Sequence, residues 1–385
     1  MAGAILTIIT SLGILMALLG CGYLVAAIVL VGRFTQDREP SRSSPAPGVT
    51  LMKPLYGTEP WLFDNLASFC RQNYPGPVTM VCGVLAREDS ATAVVEELQR
   101  TFPRAAIDLV VDSRLHGSNR KVSNLTNMAA HVDKPIVIMS DSDVCVERDY
   151  LSRVVAALTA DGVGGVTCLY YGVPGKGHWS QLAALGIDAH FLPSVIVGLA
   201  VGRAQPCFGS TIALRRTALE AIGGFAAFAD RLADDYAIGA ALRLRGERIV
   251  IPPFAVAHRC EYGHWRDLWA QELRWARTLR SIDPAGYAGS IIMHPFAWSL
   301  LALVAGGGAP ALALAFCAIG GRMALLWRLE QVFGIPRHPY WLIPMRDLFS
   351  AAVYLTSYLG RDVVWRGRRY RIGPDGQMCE RRTKP

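Results

Sequence analysis

The sequence predicts an α/β fold, a mostly parallel sheet flanked by helices, with transmembrane helices at both ends of the chain. Three observations predict it. Hydrophobic residues make up 52% of the 385, more than a soluble protein usually carries. The excess is concentrated in residues 3–32 and 291–327, which need lipid, while the middle reads as ordinary globular protein. In that middle, apolar runs of strand length alternate with amphipathic runs, the pattern of a parallel sheet covered by helices on both faces.

Residues 1–32 are read as a membrane helix. The apolar stretch from Ala4 to Val31 exceeds a signal-peptide core of roughly 7–15 residues and has no basic leader. Arg33, Arg38 and Arg42 follow it and no arginine precedes it, so the positive-inside rule places the N-terminus outside and the globular domain in the cytoplasm, at the inner membrane. Residues 33–48, rich in Ser, Pro and charge, read as a linker. The domain spans 49–285. VTLMKPL, VTMVCGVL, IDLVVD and PIVIMSD read as strands, separated by NLASFCRQ, ATAVVEELQRTF and KVSNLTNMAAH as helices. Ligands of such a sheet lie at the carboxyl ends of its strands.

Residues 286–362 hold three apolar segments, 291–308, 310–327 and 341–360. A span needs about 20 apolar residues and the last segment contains Arg346 and Asp347, so one of the three is expected to be re-entrant or interfacial. A basic cytoplasmic tail, 363–385, follows. The net charge of +8 gathers in such flanks, which suits an anionic membrane surface rather than nucleic acid. The nine cysteines are odd in number and contain no CxxC pair, as expected of reduced thiols in the cytoplasm.

Three polar clusters could carry chemistry. PIVIMS runs into Asp141, Ser142 and Asp143, two carboxylates at a strand end that can converge on a hard cation, Mg2+ or Mn2+, shared with a diphosphate; a plain polar loop is the alternative. Asp234 and Asp235 open the helix YAIGAALRLRG, where acidic residues often serve as caps. Beside an Asp-x-Asp, Asp235 becomes a candidate general base. Gln271, Arg274 and Trp275 share one face of a helix. Arg274 can grip a diphosphate and Trp275 can wall an acceptor, although the neighbouring Trp and Arg residues also suit an interfacial amphipathic helix. In LHGSNRKVSNL, Arg120 and Lys121 are polar enough to contact phosphate or sugar, or are solvated charges.

These features in this order, with MKPL at the domain start and WRGRRYR near the end, resemble the ceramide glucosyltransferase-like family over nearly the whole chain. LHGSNRKVSNLTNM, VTCLYYG, PCFGSTIALRR, LADDYAIG and QELRWARTLR are most similar to its bacterial hopanoid-associated branch. The resemblance implies a GT-A, Rossmann-like fold, a UDP-sugar donor, inversion at the anomeric carbon and a membrane lipid acceptor. For this branch it implies transfer of N-acetylglucosamine from UDP-N-acetylglucosamine to bacteriohopanetetrol. The sphingolipid alternative is UDP-glucose with ceramide, and a non-catalytic nucleotide-sugar binder is the rival of another class. Too few spanning segments are present for a processive polysaccharide synthase.

Carried over by position, Asp141 and Asp143 match the metal and diphosphate motif, Asp235 the catalytic base, and Gln271, Arg274 and Trp275 the Q-x-x-R-W signature; Asp234 beside the base and Lys121 as a donor contact are added as candidates. One position departs: Leu85 and Ala86 stand where the family usually has Gln and Asp after VTMVCGV, leaving Asp89 and Glu88 as the acidic donor candidates. His190, in GIDAHFLPS, and Cys207 are acceptor-side candidates; for His190 a structural role is the alternative.

Overall fold

A computed structural model describes residues 2–34, 46–365, 367–373 and 376–380. Most of the 33–48 linker therefore lies outside the described residues, as do Arg38, Arg42, Arg366, Arg381, Arg382 and Lys384. The four apolar runs form β1 (Val49–Pro54), β2 (Val78–Val84), β3 (Ala106–Val111) and β4 (Ile136–Met139), parallel and in spatial order β3-β2-β1-β4. Alternate residues explain why these strands lack a polar face. Val49 and Leu51 pack with Leu66 and Leu98 below the sheet, while Met52 and Val81 pack with Val122, Leu125 and Met128 above it. Each such side chain contributes about 1.5–3 kcal/mol on burial.

The remaining strands of the domain are β5 (Val144–Cys145), β6 (Val163–Thr167), β7 (Leu169–Pro174), β8 (Ile212–Arg215), β9 (Arg248–Val250) and β10 (Ala255–Cys260). The main sheet continues β4-β8-β6-β9, with β8 antiparallel to both its neighbours. A second small sheet runs β5-β10-β7. From β1 the chain builds β2 and β3 on one side and then returns to place β4 on the other. The topological switch point therefore lies between β1 and β4, where a crevice opens beyond the strand ends.

Among the described residues, three helices are long and apolar enough to cross a membrane: Gly3–Phe34, His178–Ala200 and Gly308–Phe333. The sequence reading kept the second within the 49–285 domain, and 67% of its apolar window is buried inside the protein. Asp188 and His190 interrupt its apolar run, but both are buried against protein. Tyr23, Leu24 and Val31 of the first helix pack with Leu192 and Ile196 of the second and Leu325 and Leu329 of the third. Gly20 permits a close approach to the segment 290–295: a Cβ there would stand 2.6 Å from the Ile292 carbonyl oxygen.

The expected segment 291–308 is one arm of a bent pair, Pro284–Met293 and Pro295–Val304, that meets at 63°; Pro295 supplies no N–H to continue the first arm. Segment 310–327 falls within Gly308–Phe333. Segment 341–360 gives the helix Ile343–Ser357, 15 residues long, or about 22 Å, short of the hydrocarbon thickness of about 30 Å. It carries Arg346, Asp347 and Ser350 buried against protein.

The stretch read as a tail is folded. β11 (Asp362–Trp365), β12 (Arg368–Ile372) and β13 (Met378–Glu380) form an antiparallel sheet whose Val363, Tyr370, Ile372 and Met378 close over Leu232 of the globular domain.

Candidate active site

The carboxyl ends of β1 and β4 are tied together across the switch point. Lys53, the last lysine of MKPL, is fully buried; its Nζ donates to Ser140 Oγ at 3.0 Å and to the Asp141 carbonyl at 2.9 Å. The same ammonium lies 3.6 Å from the centre of the Phe69 ring. Burial pushes its pKa down to about 7, against the pull of Asp141. Lys53 therefore fixes the backbone that presents Asp141 and Asp143.

Lys121 joins the first cluster to the second. Its Nζ stands 2.6 Å from Asp141 Oδ1 and 3.4 Å from Asp234 Oδ2. Burial opposes its charge, but Asp141, Asp234 and Asp235 outweigh burial and hold its pKa above the usual lysine range. Asn119 caps the helix Arg120–Met128 by accepting from Val122 N, and donates to the Arg231 carbonyl at 2.7 Å, which sets Lys121 beside the Asp234 loop.

Asp235 is not a helix cap. The cap position is Ala233, which makes no side-chain bond. Asp235 Oδ2 accepts from Gly209 N at 3.0 Å and Oδ1 from Tyr236 N at 2.8 Å. Gly209 also accepts from Asp141 N at 3.1 Å, and a Cβ on it would lie 2.6 Å from Asp141 Oδ2 and 3.0 Å from Lys121 Nζ. Only a residue without a side chain fits between these three groups. Burial, reinforced by Asp234, pushes the Asp235 carboxyl up to about 6.

Asp143 faces the third cluster. Its Oδ1 is buried, receives no hydrogen bond among the described residues, and has His258 Nδ1 of β10 at 3.4 Å. Burial works against the charge of Asp143, but His258 holds its pKa below the usual carboxylate range; the same pair raises His258 against burial. The His258 ring is 6.4 Å from the ring of Trp275, which brings the signature helix Trp265–Ile282 to the site. On that helix Arg274 Nε donates to Gln271 Oε1 at 3.4 Å, and its guanidinium lies 5.6 Å from the Trp365 ring. A buried carboxylate oxygen whose neighbour is His258 at 3.4 Å, with no hydrogen bond at full strength among the described residues, fits a hard cation. Asp141 and Asp143 supply oxygen ligands of the type Mg2+ or Mn2+ takes, with His258 alongside. Among the described residues no group of three metal-ligating side chains is preassembled, because Asp141 is engaged by Lys121.

Most of the other sequence candidates have structural partners of their own. Asp89 accepts from Gly57 N at 2.8 Å and Ala91 N at 3.0 Å, so its carboxylate pins the loop after β1, while Glu88 is exposed. Cys207 is buried in the core with Ile212, Ile238 and Leu242. His190 donates or accepts at 2.9 Å with Asp347, which also holds Arg322 at 3.2 Å, a buried structural network between apolar helices. Sequence reasoning missed Lys53 and His258, and read Asn119 only as part of a polar stretch. The signal for Lys53 was its position inside an otherwise apolar strand.

A GT-A architecture is what this sheet and its strand-end site define. A mannosyltransferase from Pyrobaculum calidifontis, solved with GDP-Man and Mn2+, superposes with a TM-score of 0.54 at 22% identity, covering 91% of this chain and 99% of that one. The chain belongs to glycosyl transferase family 21, whose model matches residues 12–378. It is similar to ceramide glucosyltransferase 1 of Caenorhabditis elegans, 26% identical over 246 residues, which cover 62% of this chain and 52% of the relative. A ceramide glucosyltransferase of Gibberella zeae is 28% identical over 173 residues, 40% of this chain and 33% of the relative. The chain thus spans about half the length, or less, of the curated relatives it matches.

Proposed function

We propose that the chain is an inverting membrane glycosyltransferase that moves a sugar from a UDP-sugar to a lipid hydroxyl, and that the pair is UDP-N-acetylglucosamine and bacteriohopanetetrol. The observation that carries the reading is Asp235: a buried carboxyl with a raised pKa, oriented by Gly209 N beside the Asp141–Lys121 pair. Its oxygens are held by backbone amides, so the group is preorganised as a base. As the acceptor oxygen attacks the anomeric carbon, Asp235 takes the hydroxyl proton; the bond from that carbon to the diphosphate oxygen breaks, and UDP leaves. Lys121 and Arg274 provide positive charge for the departing diphosphate. Asp141 and Asp143 would hold a divalent cation, which offsets further phosphate charge when bound. The neighbour solved with GDP-Man and Mn2+ supports a nucleotide sugar and a cation of this kind.

A lipid acceptor is supported by the placement of the signature helix. Arg346 on the buried-faced helix Ile343–Ser357 grips Glu272 in a bidentate pair at 2.5 and 2.6 Å, one residue from Gln271 and two from Arg274. The site is thereby bolted to the apolar helices, on the cytoplasmic side of an inner membrane in this reading. The hopanoid acceptor rests on the likeness of the LHGSNRKVSNLTNM and PCFGSTIALRR stretches. The ceramide glucosyltransferase relatives favour a second reading, UDP-glucose with ceramide. Purified protein offered each donor with each lipid, with products read by mass spectrometry, separates them. N-acetylglucosaminyl bacteriohopanetetrol is the expected product, glucosylceramide selects the second reading, and no product from any pair removes both.

A further inference from the structure

Beside the Lys121 cluster, a small cavity lies between the globular domain and the C-terminal sheet. Its walls are Tyr56, just past the end of β1, Arg120, and Trp365, Arg368 and Tyr370 from β11 and β12. Three aromatic rings and two guanidinium groups form a lining suited to a flat base and an anion. Arg120 Nε is buried and has no hydrogen-bond partner among the described residues, which is costly unless an anion completes it. Arg120 is the chain neighbour of Lys121, which holds Asp141. Arg274 of the signature helix approaches the cavity wall at Trp365.

The sheet that closes the cavity is anchored to the catalytic loop. Leu232 N donates to the Gly376 carbonyl at 3.0 Å and Met378 N to the Asp230 carbonyl at 2.8 Å, within four residues of Asp234. At its other end Arg277 donates to the Asp362 carbonyl and Arg280 to the Gly360 carbonyl at 2.5 Å. The C-terminal sheet is thus held on one side by the loop leading to the base and on the other by the signature helix.

We propose that this C-terminal sheet is a wall of the donor site: the small cavity takes one phosphate of the donor's diphosphate against Arg120, and Trp365 lies against the base. The inference rests on the glycosyltransferase reading and adds to it a donor contact from outside the α/β domain.

The test is titration of the purified full chain in detergent with UDP and Mn2+ by calorimetry, alongside the donor KM. Trp365→Ala and Arg120→Ala are expected to weaken UDP binding at least tenfold and raise the donor KM, with the thermal midpoint unchanged. Arg371→Ala, which breaks an exposed pair with Asp362, is expected to bind UDP as the parent does. Trp365→Phe keeps an aromatic ring at this position and is expected to stay folded and lose less UDP affinity than Trp365→Ala. UDP affinity within twofold of the parent in folded Trp365→Ala and Arg120→Ala proteins, in a parent that transfers sugar, would overturn the assignment alone. A parent that neither binds UDP nor transfers sugar overturns the glycosyltransferase reading and this inference with it.

Discussion

At the scale of the residue, Asp141, Asp234, Asp235 and Lys121 hold three negative charges against one positive. Burial is the main cause that raises Asp235, and the negative charge of Asp234 adds to it. A base must be deprotonated to act, so kcat/KM is expected to be level above pH 6 and to fall as the pH drops through about 6, where the raised carboxyl takes up its proton. A pH–rate profile checks this; a profile flat down to pH 4.5 contradicts it. Asp235→Asn removes the proton acceptor and keeps the shape, with an expected loss in kcat of about 10²–10⁴ and UDP binding retained. Gly209→Ala pushes a methyl into Asp141 and Lys121. It is expected to lower kcat at least tenfold with little change in the thermal midpoint, a split that activity and melting curves on the same sample reveal. Asp141, Asp143 and Asp235 could be picked from the sequence because carboxylates at a strand end and a helix start stand out locally. His258 could not, because its partner Asp143 is 115 positions away and only the sheet brings them together; Lys53 stood out only as a charge inside an apolar strand, with its partner Asp141 88 positions away.

Among the elements, the signature helix matters most because it joins three bodies: His258 and the strand-end site through Trp275, the C-terminal sheet through Arg277 and Arg280, and the helix Ile343–Ser357 through Glu272. The Arg346–Glu272 pair is buried, its side chains 4% and 11% exposed, so removing one partner strands the other. Arg346→Ala is expected to cost about 3–5 kcal/mol of stability, as buried pairs broken from one side do. Glu272→Gln with Arg346→Met should cost less than the sum of the two single changes, measured by thermal unfolding in detergent. The first four strands and their helices were legible because each is a continuous apolar run of strand length bounded by an amphipathic one. The sheet at 362–380 was hidden by its arginines. Its signal was the alternation of buried Tyr370 and Ile372 with exposed Arg369 and Arg371, a period of two that charge count obscures.

For the whole molecule, the His178–Ala200 helix matters because an apolar helix within the α/β domain's chain packs against the N-terminal helix, which itself packs directly on Gly308–Phe333. Sequence reading passed over it because Asp188, His190 and Pro193 break the hydropathy, and the partners that bury Asp188 and His190, His338 and Asp347, lie about 150 residues downstream. The proposed orientation puts the sheet 362–380 in the cytoplasm. Exposed Cys379 is therefore expected to react with a membrane-impermeant maleimide in inside-out vesicles and not in right-side-out ones, with Cys379→Ser as the control; the reverse pattern would invert the topology. The central claim is a single displacement at the anomeric carbon with Asp235 as base, and the stereochemistry of the product tests it most directly. With an α-linked UDP-sugar as donor, proton NMR of the purified glycolipid should show the large anomeric coupling of a β-linkage, whereas an α-linked product would require two displacements or a front-side route and would contradict the account.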